Sequence, residues 1–288
     1  LTKPSLLQRL ATRIGTAVGR NSPVIRLLRP AYERWLDRTS RGKGFLVTIN
    51  GHERFYVNPR HRAWFGDTYE PEVFAYLRER VAPGAVVLNV GAHVGIYSIS
   101  LAMWSAPGGQ VFAFEPNPAT RTILADQIAR NGLADRVEIV PKAVAASPGT
   151  ATFCASGEEG FSRLGRPNPS RSEGTESIAV EVTTIDAFCG QRGVIPDWIT
   201  LDIEGYEAAA LAGARRTIAS RGTKLGLIVE MHPSLWPLSG TSRRELEALF
   251  AELHVVPRGL TGQRDPLQES GVVALEHIAS RPAACIPS

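Results

Sequence analysis

From Ala85 to Met231 the sequence repeats a single kind of unit, a short apolar run followed by a stretch of helical periodicity. The runs are "AVVLNV" (85–90), "QVFAFE" (110–115), "RVEIVPKAV" (136–144), "DWITLDI" (197–203) and "LGLIVEM" (225–231). Between them lie helices starting at Ile96 and spanning "PATRTILADQIARNG" (118–132) and "YEAAALAGARRTIAS" (206–220). Strands that are apolar throughout, rather than at alternate positions, are buried on both faces, and strands joined through helices run parallel. The chain is therefore predicted to be an α/β protein, a mostly parallel sheet covered by helices on both faces. Towards the end, "RELEALFAEL" (244–253) predicts a helix, and "HVVPRG" (254–259) with "GVVALE" (271–276) predicts a final antiparallel pair.

Upstream the pattern changes. "YEPEVFAYLRERVAPG" (69–84) reads as a helix ending before Pro83-Gly84, with Asp67 or Thr68 as its cap. "KGFLVTINGHERFYVNP" (43–59) reads as a hairpin turning at Asn50-Gly51. Residues 5–18 carry apolar side chains at helical spacing, and a second helix follows Asn21, with Pro30 breaking or kinking it. Residues 1–43 hold ten Lys or Arg against Glu33 and Asp37, a local net of +8, whereas the whole chain of 288 residues is +4. The basic character therefore belongs to this arm. Two readings of it stand: contact with a membrane surface or nucleic acid, or a helical cap packed on the body or on a second copy in a homodimer. A basic run and interleaved aromatic positions are missing, so nucleic acid is not expected as a partner. No apolar run reaches the ~18 residues of a membrane span. The cysteines Cys154, Cys189 and Cys285 lack metal-like spacing, which fits a cytoplasmic location. One long segment, Cys154 to Ser177, is rich in Gly, Ser, Arg and Pro and reads as a loop, either a lid or simply irregular.

The first strand of the repeat runs into "GAHVG", residues 91–95. A glycine turn between strand and helix presents backbone N–H groups at the carboxyl edge of the sheet, where nucleotides bind. Dinucleotide sites need G-x-G-x-x-G so that the backbone can approach a pyrophosphate. Gly91 and Gly95 are present, but Ala92 and His93 would place a Cβ and an imidazole there, which disfavours NAD and FAD. Glu115 ends the next strand, 24 residues on, and a carboxylate there accepts the two hydroxyls of a ribose. A ribose without a phosphate cradle points to S-adenosylmethionine. The turn residues Gly91, Ala92, His93 and Gly95, together with Glu115, Pro116 and Asn117, are the expected cofactor contacts, with Tyr69 closing over them.

Methyl transfer to an alcohol needs alignment and a proton acceptor near the methyl group. Asp202, at the end of its strand, faces this region as base, cofactor contact or metal ligand; otherwise it caps the next helix. Glu204 and Glu207 share a helix face and are candidate substrate contacts, although the helix dipole alone favours acids there. Glu230 and His232 share a face at the end of the next strand. The imidazole is the natural candidate base, with Glu230 orienting it or binding substrate. Asp202, Glu204 and Glu230 would also suit Mg²⁺, which prefers oxygen ligands.

"VVLNVGAHVGIYS", "VFAFEPNP", "VTTIDAF", "PDWITLDIEGYEAAALAGA" and "LIVEMHP" resemble, in order and spacing, the FkbM-type S-adenosylmethionine-dependent methyltransferases. The resemblance covers Tyr69 to Pro233. It implies the class I methyltransferase fold, a seven-stranded Rossmann-like sheet with a reversed last strand. It also implies O-methylation of a sugar, glycolipid, polyketide or related metabolite. Asn89 stands where that family commonly has Asp, at a contact to the methionine part of the cofactor, and His93 where it commonly has Asn. These departures leave open a binding protein that keeps the pocket without catalysis. The expected organisation is an N-terminal extension, residues 1–68, followed by a methyltransferase domain, residues 69–288.

Overall fold

The computed structural model of the protein describes residues 23–40, 42–156, 160–169 and 175–278. The amphipathic stretch 5–18 lies outside them. Helix α1 (Pro23–Thr39) runs through Pro30, whose ring sits on an exposed side, so the lost backbone donor leaves one rung open without ending the helix. Strands β1 (Phe45–Ile49) and β2 (Glu53–Val57) form the expected hairpin. Asn50 and Gly51 both adopt positive φ, as a tight turn between twisted strands demands. Ile49, Phe55 and Val57 bury into the same apolar cluster as α2 (Pro71–Arg80). At the start of α2 neither Asp67 nor Thr68 caps the helix; Glu70 occupies that position at φ 38°.

The body follows as β3 (Val86–Val90), α3 (Ile96–Trp104), β4 (Gln110–Phe114), α4 (Pro118–Arg130) and β5 (Val137–Val140). After an insertion come α5 (Ile185–Arg192), β10 (Trp198–Leu201), α6 (Glu207–Ala212), α7 (Arg215–Arg221) and β11 (Gly226–Met231). The chain closes with α8 (Arg243–Glu252), β12 (Val255–Gly259) and β13 (Gly271–His277). The seven-stranded sheet has the order β12-β13-β11-β10-β3-β4-β5, parallel except for β13, which is antiparallel to both its neighbours. Alternate residues of each central strand serve opposite cores. Leu88, Phe112, Ile199 and Val229 face the cluster under α5 to α8, while Val87, Val111 and Ile228 face the one under α2 to α4.

Three expectations change in detail. The run 136–144 divides between two sheets, because β6 (Ala143–Val144) leaves the main sheet to pair with β9. The helix expected over 206–220 breaks at Gly213, where any Cβ would lie 2.3 Å from the Ala145 carbonyl. Thr184 caps α5, and Asp186 accepts the N–H groups of Arg216 and Thr217 at the start of α7. The segment 154–177 is only partly a loop. Within it, β8 (Arg163–Leu164) pairs with β7 (Gly149–Ala155), and β9 (Glu176–Thr183) pairs along the other side of β7. The resulting small sheet, β6-β9-β7-β8, arches over the carboxyl edge of the main sheet.

Candidate active site

The strand order reverses between β3 and β10, and ligands of open parallel sheets bind in the crevice at such a point. A cavity of about 480 Å³ occupies it, within the usual range for a small-ligand site. Its floor is the turn 90–96, one end is Glu115, the other is Asp202 and Glu204, and its roof is Phe153 and residues 160–164.

The two glycines of the turn are dictated by packing. Gly91 has φ +87°, and a Cβ there would lie 1.8 Å from the Asp202 carbonyl, so only glycine lets the ends of β3 and β10 approach. A Cβ on Gly95 (φ +98°) would lie 2.7 Å from Leu124. Gly91→Ala is expected to cost several kcal/mol, beyond the ~1–3 kcal/mol of ordinary overpacking, because strain in φ adds to the clash. Denaturant unfolding of the variant measures this; a loss below about 1 kcal/mol would mean that the two strand ends yield.

Glu115 is buried at the tip of β4, and its carboxylate accepts the N–H of His93 (2.9 Å) on one oxygen and that of Asn117 (2.8 Å) on the other. A carboxylate has about four lone-pair sites, so one acceptor direction per oxygen remains for a ligand in the cavity. Burial pushes its pKa up to about 7, opposed by those two N–H groups and by Arg121. Because this lies above the unfolded value, ionising Glu115 costs the ligand-free fold stability as pH rises from the ordinary carboxyl range to about 7. A ligand that hydrogen-bonds the carboxylate form has the reverse dependence. Affinity for S-adenosylhomocysteine should fall about tenfold between pH 7.5 and 6 in calorimetry, and a flat profile would exclude Glu115 as its acceptor.

The remaining expected cofactor residues separate. Gly91, Ala92, His93, Gly95, Pro116 and Tyr69 line the cavity. The Tyr69 backbone is held at both its N–H and its carbonyl by the Asn50 side chain of the hairpin turn. Asn89 does not line it. Its amide donates to Ser98 Oγ (2.7 Å) and accepts from Thr200 Oγ1 (2.9 Å), a buried link between β3, α3 and β10 that uses the side chain internally. Asn117 caps α4 through Ala119 N–H and acts on the site through Glu115.

At the other end, Asp202, Glu204, Glu230, Glu70 and His232 converge. Burial pushes Asp202 up to about 7, and the neighbouring carboxylates of Glu204 and Glu70 push the same way against His232. Glu230 is pushed up to about 8 by burial and by Asp202, with which it shares a hydrogen bond. Burial likewise pushes Glu70 up to about 7, and Tyr97 donates its hydroxyl to it.

His232 differs from expectation. Burial disfavours its charge, but the hydrogen bond to Glu207 and the carboxylates of Asp202 and Glu204 outweigh that and push it up to about 10. That direction favours the protonated imidazole at neutral pH, a form with no free pair to take a proton, and so favours a counter-charge over the expected base. Glu207 is no substrate contact either. It is fully buried, and its carboxylate is filled by Gly205 N–H (2.7 Å), His232 Nδ1 (2.8 Å) and Trp236 Nε1 (2.9 Å). Neither it nor Glu230 lines the main cavity, whereas Asp202 and Glu204 do. Of the expected Mg²⁺ set, Glu230 is not in the group whose ligating atoms come close enough to share an ion. The ligating atoms that come within 4.8 Å of one another are those of Asp202, Glu204 and His232. Mg²⁺ favours oxygen donors, so this set, with its imidazole, does not match it.

The sequence reading left the segment 154–177 as a lid or an irregular loop and named none of the residues that form the roof. Phe161 and Leu164 are the only large apolar residues between Ser156 and Thr175, and that isolated pair was the available signal for a segment folded over the site.

The sheet order, with its single reversed strand and a crevice at the switch point, is that of the class I methyltransferase fold. The profile of the methyltransferase FkbM domain matches residues 89–254, more than half of the chain, and the protein belongs to that family. No curated protein matches it in sequence. Among solved structures it is similar to an FkbM methyltransferase from Methylobacillus flagellatus KT, with 16% identity over 70% of this chain and 50% of that one and a TM-score of 0.44. It thus spans half the length of that protein. It is also similar to an S-adenosylmethionine-dependent O-methyltransferase from Thermotoga maritima (11% identity, 86% and 83% of the chains, TM-score 0.45). A third is a fibrillarin from Aeropyrum pernix with natively bound S-adenosyl-L-methionine (10% identity, 80% and 81%, TM-score 0.40). No helix among the described residues is long and apolar enough to cross a membrane.

Proposed function

We propose that the protein moves the S-methyl group of S-adenosylmethionine onto a hydroxyl of a small-molecule or glycan acceptor, such as a sugar, glycolipid or polyketide. The observation that carries this reading is the polarity of one cavity: a ribose-accepting carboxylate, Glu115, at one end and a proton-accepting carboxylate, Asp202, at the other. The cofactor supplies a methyl group already activated by the sulfonium charge. Glu115 holds the ribose hydroxyls, and the Gly91–Gly95 turn lets the nucleoside lie close to the backbone. The acceptor oxygen attacks the methyl carbon in line, the carbon–sulfur pair stays on sulfur, and the hydroxyl proton passes to Asp202. With its acidity near neutrality, Asp202 is matched to that task. Glu204 orients the acceptor, and protonated His232 holds the surrounding carboxylates in place.

The test is incubation with methyl-labelled S-adenosylmethionine and a panel of hydroxylated acceptors. Labelled ether with matching S-adenosylhomocysteine is the expected result. Cofactor binding with no transfer to any acceptor would favour a binding protein instead.

A further inference from the structure

Among the described residues, Arg163 is the largest fully buried side chain, at 1% exposure, and no carboxylate lies within ion-pair distance of it. Its guanidinium bonds to backbone carbonyls of three separate segments. Nε donates to Glu204 O (2.9 Å), Nη1 to Arg166 O (3.3 Å) and Nη2 to Leu235 O (3.5 Å), while the group lies 5.6 Å from the Tyr206 ring centre. Burying a cation is costly unless its donors do structural work. Here they tie β8 in the roof to the 204–207 turn and to the turn that follows β11. The first of these is strained: Glu204 has φ +52° and Gly205 φ +93°, consecutive left-handed residues. A Cβ on Gly205 would lie 2.7 Å from Leu235 Cβ and 3.2 Å from Arg163 Nη2, so the guanidinium packs directly on the turn. Three backbone groups at its centre are anchored: Glu204 O on Arg163, Gly205 N–H on Glu207 and Gly205 O on Ser239 Oγ (2.7 Å).

We propose that Arg163 is a positioning residue that fixes the 204–207 turn and through it the placement of Glu204, Glu207 and His232, making the β8 segment a working part of the transfer site and not only its cover. This rests on the methyl-transfer reading for its purpose, but its test needs no acceptor. In the sequence of contacts, Arg163 holds Glu204 O, the turn presents Gly205 N–H to Glu207, and Glu207 holds His232 Nδ1. The groups that face the imidazole are Glu207 on α6, Glu204 and Asp202 after β10, and Glu230 on β11.

The experiment uses the full chain as Arg163→Gln and Arg163→Lys. Each is checked for S-adenosylhomocysteine affinity by calorimetry, and its His232 imidazole is titrated by NMR with labelled histidine. Because residue 163 lies in the cavity roof, cofactor binding serves as the check that each variant is folded, and the His232 titration decides. If Arg163 acts through the turn, the proton affinity of His232 drops tenfold or more in Arg163→Gln and less in Arg163→Lys, as Glu207 loses its aim. Were Arg163 only a nearby charge, removing it would tighten the proton on His232. A tightened or unchanged proton affinity therefore overturns the proposal. Should Arg163→Gln not fold, the direction seen in Arg163→Lys decides. Failure of methyl transfer in the wild type is a separate result, bearing on the activity and not on this linkage.

Discussion

Glu115→Gln should lose S-adenosylhomocysteine affinity by about 100-fold in calorimetry. Two charge-assisted hydrogen bonds to a ribose are worth roughly 1.5–3 kcal/mol each, and the amide keeps at most one acceptor oxygen. Its NH₂ must also face the N–H of either His93 or Asn117, both of which now point at the carboxylate. Alanine is the poorer test. It would leave two buried N–H groups unsatisfied, at about 1–3 kcal/mol each, so lost binding would be confounded with a disturbed turn. Affinity within threefold of the wild type in a folded Glu115→Gln variant would remove the ribose assignment.

Asp202→Asn should lower kcat on any acceptor that the wild type methylates by about 10²–10⁴-fold, the usual contribution of a positioned base. Cofactor affinity should change only a few-fold, because the cavity wall and the backbone contact with Gly91 survive the substitution. Rapid quench with labelled methyl groups measures the chemical step directly. A variant that turns over within fivefold of the wild type would mean that the proton leaves by another route, with Glu204 as the next cavity-lining carboxylate to test.

The main sheet was legible because each of its parallel strands is a compact apolar run and each intervening helix has a clear period. The turn chemistry was equally plain: Asn50-Gly51, Gly91 and Gly95 all sit where positive φ is needed. The site was legible in its carboxylates but not in their roles. Glu204, Glu207 and Glu230 read alike along the sequence. Only packing shows that Glu207 is filled by three donors while Glu204 faces the cavity. His232 was read as a base from its ordinary acidity, and the surrounding acids, distant in sequence, reverse that. Asn89 was assigned from the family resemblance, yet its side chain points to Ser98 and Thr200. The small sheet was missed because β8 has only two residues. The apolar–polar–apolar order Val180-Glu181-Val182 in β9 was the signal present but not used.

A crystal structure of the protein with S-adenosylhomocysteine tests the central claim most directly. The account predicts both ribose hydroxyls within hydrogen-bond distance of the Glu115 carboxylate, about 2.5–3.0 Å, and the sulfur between the Gly91 turn and Asp202. Nucleoside density away from Glu115, or a ribose turned from it, would contradict the account.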